Sequence, residues 1–171
     1  MKKKMASVLK ISACYIVKNE AENLVKSIKS LKSQVNEIVV VDTGSTDNTI
    51  AMARKLGAKV YSFFWQDDFS KARNFALSKA KGDWLVLLDA DEYFTAKTAG
   101  NIRHVIRQAQ QADALLVQLV NYDVDKARIQ EYFYQLRIVR NQQGLHYEGK
   151  IHEELKLSDG KSMKFLMIPP E

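Results

Sequence analysis

The chain has 171 residues, 46% hydrophobic and 27% charged, with a net charge of +6. That is ordinary globular composition with enough apolar side chain for one core, and it argues against a disordered or low-complexity protein. No apolar run approaches the roughly 20 residues that cross a bilayer, the single cysteine Cys14 cannot form an internal disulfide, and no stripe of interleaved basic and aromatic residues points to nucleic acid.

The chain opens on Met1-Lys2-Lys3-Lys4, which begins like a signal peptide. Lys10 interrupts the apolar stretch and no small-residue cleavage site follows, so residues 1–10 are expected to be a basic tail and the protein cytoplasmic. A solvated tail is the simpler reading, and a peripheral contact with anionic lipid at the inner face of the membrane stays open. Ile11 to Val17 is a continuous, partly β-branched apolar run that predicts a strand, with Cys14 as a small core residue. Asn19 and Glu22 have capping-box spacing for a following helix, along which Ala21, Leu24, Val25, Ile28 and Leu31 share one face. Glu37 to Val41 predicts a second strand. It ends in the turn-forming cluster Asp42 to Asp47, whose last residues can cap a helix running to Leu56, with Gly57 as its left-handed stop.

The alternation then repeats. Ala58 to Phe64 predicts a strand, Phe69 to Lys81 a helix ended by Gly82, and Trp84 to Leu88 a fourth strand. Thr95 is placed to cap a helix carrying Ala99, Ile102, Val105, Ile106 and Ala109 on one face. Two longer strands follow, Ala114 to Tyr122 and Ile129 to Arg140, around a polar turn at Asp123 to Ala127. The end of the chain is less regular, which leaves open that it is a piece of a longer protein. Strands alternating with helices imply right-handed crossovers and an α/β fold, with a mostly parallel central sheet and helices on both faces.

In such a sheet the ligand crevice lies outside the carboxyl ends of the strands. Those ends are polar here: Lys18, Asn19 and Glu20; Asp42 to Asp47; Trp65 to Ser70; and Asp89 to Glu92. Any one of them could simply cap a helix, but together they outline a rim. The run Asp89-Ala90-Asp91-Glu92 follows a buried strand, where crowded carboxylates need a cation or strong donors. Oxygen ligands in small number suit Mg²⁺ or Mn²⁺, which complete their shells with water and phosphate oxygens. A helix-capping acidic turn is the alternative.

These motifs, in order, resemble the family-2 inverting glycosyltransferases of the GT-A nucleotide-diphospho-sugar transferase fold. The resemblance is carried by Cys14-Tyr15-Ile16-Val17-Lys18-Asn19-Glu20, Val40-Val41-Asp42-Thr43-Gly44-Ser45-Thr46-Asp47, Ala72-Arg73-Asn74 and Asp89-Ala90-Asp91-Glu92. The later stretches Arg137 to Arg140 and Tyr147-Glu148-Gly149-Lys150-Ile151-His152-Glu153 look like the branch that includes lipopolysaccharide-core glucosyltransferases and peptide S-glycosyltransferases. One catalytic domain is expected, with residues 11–94 as the nucleotide-sugar half and 95–171 as the acceptor half.

The resemblance implies transfer of a hexose from a nucleotide sugar, with a UDP-sugar as the expected donor, to a saccharide, glycolipid or peptide acceptor of the cell envelope or another glycoconjugate. It implies that Asp42 binds the nucleoside, with an Asx turn as its other role. Ile16 and Val17 would flank the base with Asn19 and Glu20 close by. Arg73 would face ribose or diphosphate, Asp68 could serve the same pocket or merely cap its helix, Asp89 and Ala90 would contact the donor, and Asp91 and Asp89 would hold Mn²⁺ or Mg²⁺. A general base for the acceptor is sought among Glu148, His152 and Glu153, and His152 could instead complete the metal shell. If residues 151–155 are extended, His152 and Glu153 point to opposite faces.

Two other readings remain at this level: a nucleotide-binding module without transfer, and a sugar-phosphate nucleotidylyltransferase, which would carry a Gly-rich signature absent from Ile11 to Glu20. Homodimerisation through the late strands is open, with Tyr132, Phe133 and Tyr134 as readily core or acceptor platform.

Overall fold

A computed structural model describes residues 8–95, 98, 100–123 and 125–169. The Lys2 to Lys4 cluster and Ala99 lie outside them. Strands β1 (Ile11–Val17), β2 (Glu37–Asp42), β3 (Lys59–Ser62) and β4 (Trp84–Leu87) alternate with helices α1 (Ala21–Leu31), α2 (Thr49–Lys55) and α3 (Phe69–Lys79). Helix α4 (Ile102–Gln108) precedes the long hairpin β5 (Ala114–Asp123) and β6 (Arg128–Arg140), then β7 (Leu145–Glu148), β8 (Glu154–Leu157) and β9 (Phe165–Met167).

Seven strands form one sheet in the order β3-β2-β1-β4-β6-β5-β9. β1 lies parallel to both β2 and β4, and β2 to β3. The hairpin then joins with β6 antiparallel to β4 and β5, and β9 runs parallel to β5. β7 and β8 make a separate antiparallel pair. The chain order reverses between β1 and β4, because β2 and β3 build outward on one side and β4 on the other. That reversal splays the loops leaving β1 and β4 and opens the crevice where ligands bind in this class of sheet.

Alternation along β1 feeds two cores. Ile11, Ala13, Tyr15 and Val17 pack with Leu24, Ile28 and Leu31 of α1 and Ile102 and Ile106 of α4. Cys14 faces the other side with Val39, Val41, Leu85 and Leu87, covered by Ala76 of α3 and by Leu145, Tyr147 and Leu155 of the small hairpin. Helices therefore cover both faces, as the α/β reading requires. Burial pushes the Cys14 thiol up to about 12, which makes it an inert core side chain.

Two helix ends differ from the local signals. Asn19 does not cap α1: its backbone is left-handed (φ 57°) and its carboxamide oxygen accepts from the Thr46 N–H at 2.7 Å instead. α3 stops at Lys79 because Ala80 is already extended. The Thr95 hydroxyl accepts from the Thr98 N–H at 3.3 Å, the bond a helix-capping threonine makes, and Thr98 is helical; the helix α4 that buries Ile102 and Ile106 begins at Ile102.

The β5–β6 pairing slips between Leu115/Ile138 and Leu116/Leu136, leaving Arg137 as an extra residue. Leu136 and Ile138, two positions apart, consequently enter opposite cores, which an unbroken strand would not allow.

Gly82 sits where backbones meet: a Cβ there would lie 2.6 Å from the Ser12 nitrogen and 2.8 Å from the Trp84 carbonyl oxygen. Gly82→Ala is expected to lower unfolding free energy by about 1–3 kcal/mol through overpacking, measured by urea denaturation.

Candidate functional site

The rim assembles at the carboxyl ends of β1, β2 and β4. Asp42 is buried beside Val17, its register partner across the β1–β2 pair. Its carboxylate accepts from the Gly44 N–H at 3.1 Å and the Ser45 N–H at 3.1 Å, so the Asx turn is present. A carboxylate has about four acceptor positions, and two short backbone bonds leave capacity for a ligand N–H. The loop after β1 is tied to the same turn: the Asn19 N–H donates to Ser45 Oγ at 2.9 Å and the Glu20 N–H to Thr49 Oγ1 at 2.8 Å. Glu20 also accepts from Asn23 at 2.9 Å. The two loops are tied together because each satisfies the other's orphan backbone groups.

Ile16 and Val17 face opposite sides of the sheet. Val17 is core, whereas Ile16 lines a narrow crevice with Arg73, Leu87 and Tyr147. Ala90 is also core, in the same cluster as Leu88, so only its backbone is available to a ligand. Asp68 is the N-cap of α3, accepting from the Lys71 N–H at 3.2 Å and from Ser70 Oγ at 2.7 Å. The Ser70 hydroxyl, ahead of the backbone bond, holds its carboxyl below the usual range. This is the helix-capping role.

Arg73 is not an exposed helix arginine. Its guanidinium reaches Asp89 at 3.0 Å and also pairs with Glu153, 80 residues along the chain, and it lies 5.6 Å from the centre of the Tyr147 ring. Its pKa is raised: burial works against the charge, and the Asp89 carboxylate leads the opposing effects. Asn74, the next residue, clamps the backbone of β7, donating to the Tyr147 carbonyl at 2.9 Å and accepting from its N–H at 2.7 Å. The small hairpin is thereby fastened across α3, and burial there pushes the Tyr147 phenol up to about 12.

The acidic run is closed by a residue that the sequence reading did not assign. Arg137 is only 7% exposed, reaches Asp89 at 3.2 Å and pairs with Glu92. Glu92 in turn accepts from the Asp89 N–H at 3.2 Å, and its own N–H donates to the Asp89 carbonyl at 3.1 Å. Asp89, expected among the metal ligands, therefore spends both oxygens on guanidinium groups. Asp91 is exposed and has no side-chain partner among the described residues. No three His, Cys, Asp or Glu side chains converge among the described residues. One free carboxylate beside a neutralised one suits an ion that takes most of its ligands from water and phosphate, not an all-protein cage. The signal for Arg137 was in the sequence, as a charge set among Leu136, Ile138 and Val139. What aims it is the bulge.

The three base candidates separate. Glu148 is exposed on the outer side of β7, paired with His146 and Lys156 at 3.0 Å each. The His146 hydrogen bond, then the lysine, holds its carboxyl below the usual range. His152 is exposed with a left-handed backbone (φ 57°), so residues 151–155 are not one extended strand. Glu153 alone turns inward, onto Arg73.

The profile of the family described as Glycosyl transferase family 2 matches residues 12–166. The chain belongs to that family. It is 31% identical over 152 residues to the SPbeta prophage-derived glycosyltransferase SunS of Bacillus subtilis, covering 84% of this chain and 34% of that protein. Its fold is similar to that of residues 1–349 of S. aureus TarS in complex with UDP, with a TM-score of 0.67 and 20% identity over 95% of this chain and 61% of that one. It is also similar to glucosyl-3-phosphoglycerate synthase from Mycobacterium tuberculosis in complex with Mn²⁺, UDP and glucosyl-3-phosphoglycerate, with a TM-score of 0.54 and 20% identity over 69% of this chain and 46% of that one. The chain spans little more than a third of the length of the curated relatives it matches.

Asn74→Ala removes both bonds to the β7 backbone and leaves that backbone unpaired. A loss of about 1–3 kcal/mol in stability is expected, with faster amide exchange at Tyr147 than elsewhere in the sheet.

Proposed function

We propose that this chain is the catalytic part of an inverting, divalent-metal-dependent hexosyltransferase that uses a UDP-sugar. The observation that carries the reading is the placement of Asp42 at the carboxyl end of β2 and of Asp89, paired with Arg73, and Asp91 just after β4, on the two sides of β1. The UDP in the TarS structure, and the UDP and Mn²⁺ in the mycobacterial synthase, support the donor and the ion. Asp42 would accept from the N3–H of uracil, Asn19 and Glu20 would line the same end, and Arg73 would face the diphosphate. Asp91 would hold Mn²⁺ or Mg²⁺, with His152 free to join it. The ion supplies a Lewis acid against the charge that grows on the departing diphosphate.

Transfer with inversion also needs the acceptor hydroxyl or thiol deprotonated on the opposite face of the sugar. Of the three candidates, Glu153 is the one whose side chain lies at the rim, and we assign it that role. Arg73 orients it in the free protein. The acceptor, a saccharide, glycolipid or peptide, would lie against residues 120–155. There Val120, Tyr122 and Tyr132 are exposed, Tyr132 at 67% and Phe133 at 41%, so these two aromatics are surface and not core. They could carry an acceptor or a second copy of the chain. No helix among the described residues is long and apolar enough to cross a membrane, and contact of the basic terminus with an anionic membrane from the cytoplasmic side belongs to the same proposal.

Two measurements test it. UDP should raise the melting temperature only with Mn²⁺ or Mg²⁺, and Asp91→Asn should abolish that rise; metal-independent stabilisation would remove Asp91 from its role. In a UDP-sugar hydrolysis and transfer panel, Glu153→Gln should lower kcat by about 10²–10⁴-fold while UDP still binds, and Glu148→Gln should change it little. The opposite pattern would move the base to Glu148. UDP binding without turnover of any donor would favour a nucleotide-binding module.

A further inference from the structure

We propose that Arg137 is a positioning residue for the metal and diphosphate end of this site, holding the acidic run in the shape that leaves Asp91 as its one free carboxylate. The inference rests on the nucleotide-sugar reading above and adds to it a residue from the acceptor half of the chain.

Three observations carry it. Arg137 is the extra residue of a β-bulge, and bulges are a means of re-aiming a side chain beside a site. Its buried guanidinium bridges Asp89 and Glu92, the two carboxylates that flank Ala90 and Asp91. Its Nε–H is buried without a partner, an arrangement a purely stabilising arginine would have little reason to keep, since buried donors are nearly always satisfied. Glu92 completes the clasp by accepting from the Asp89 backbone. With Asp89 paired with Arg73 and Arg137, and Glu92 with Arg137, Asp91 is the carboxylate left to meet an incoming cation. Without the arginine, Asp89 and Glu92 lose the partner that fixes their geometry, and with it the shape of the run that presents Asp91.

The test is Mn²⁺ affinity of the full chain at saturating UDP, read by electron paramagnetic resonance at a temperature where circular dichroism shows each variant folded. Arg137→Met should weaken Mn²⁺ binding by about 10–100-fold, the usual effect of removing a group that orients a ligand. Arg137→Lys keeps one charge but cannot fork to both carboxylates, so it should fall between Arg137→Met and the native chain; it carries the test if Arg137→Met does not fold. Adding Glu92→Gln to Arg137→Met should recover melting temperature, because it removes an uncompensated buried charge, without recovering Mn²⁺ affinity. A merely structural arginine would recover both together. Native Mn²⁺ affinity in folded Arg137→Met or Arg137→Lys overturns this inference alone. If the native chain binds no Mn²⁺ with UDP, the nucleotide-site reading and this inference both fall.

Discussion

Two guanidinium groups converge on the single carboxylate of Asp89, one from α3 and one from β6. Isolated charges in such a place are costly, and removing one member of a buried pair leaves the other uncompensated. Asp89, Arg73, Arg137, Glu92 and Glu153 are therefore placed as a set. Each comes from a different part of the chain apart from the two within the acidic run. Their mutual pairing joins the end of β4 to the first helix turns of α3, the long hairpin and the segment before β8.

That set explains how an α/β sheet becomes a site in this molecule. The strand-order reversal creates the crevice, and the charges decide what can enter it. Arg73 is already paired with carboxylates, so on the proposed reading an anionic diphosphate would compete with Glu153 and Asp89 for it. Such an exchange would replace one charge-assisted bond by another and would free Glu153. The Asn74 clamp holds Tyr147 and the small hairpin against α3.

Much of the fold was legible because burial writes a period into the chain. Ile11 to Val17, Glu37 to Val41 and Trp84 to Leu88 read as largely apolar strands, and α1 as a one-faced helix, and those elements are present. Caps were less legible. Asn19 has the right side chain in the right place for α1, but Thr46 and Asp47, 27 and 28 residues on, offer it donors that the local sequence cannot reveal. Asp68, an expected member of the pocket, is occupied as a cap.

By itself, the sequence determined the alternation of strands and helices, the polar ends of the strands and the order of the family's motifs, because these depend on side-chain chemistry within a few residues. Only the tertiary structure decided which carboxylates are spent and which are free. Asp89 and Asp91 are two residues apart and chemically identical, yet one lies between two arginines drawn from 16 and 48 residues away and the other faces solvent without a partner. The difference is made by a bulge in β6 and a helix laid across β1, which bring distant guanidinium groups to one carboxylate and leave its neighbour outside their reach.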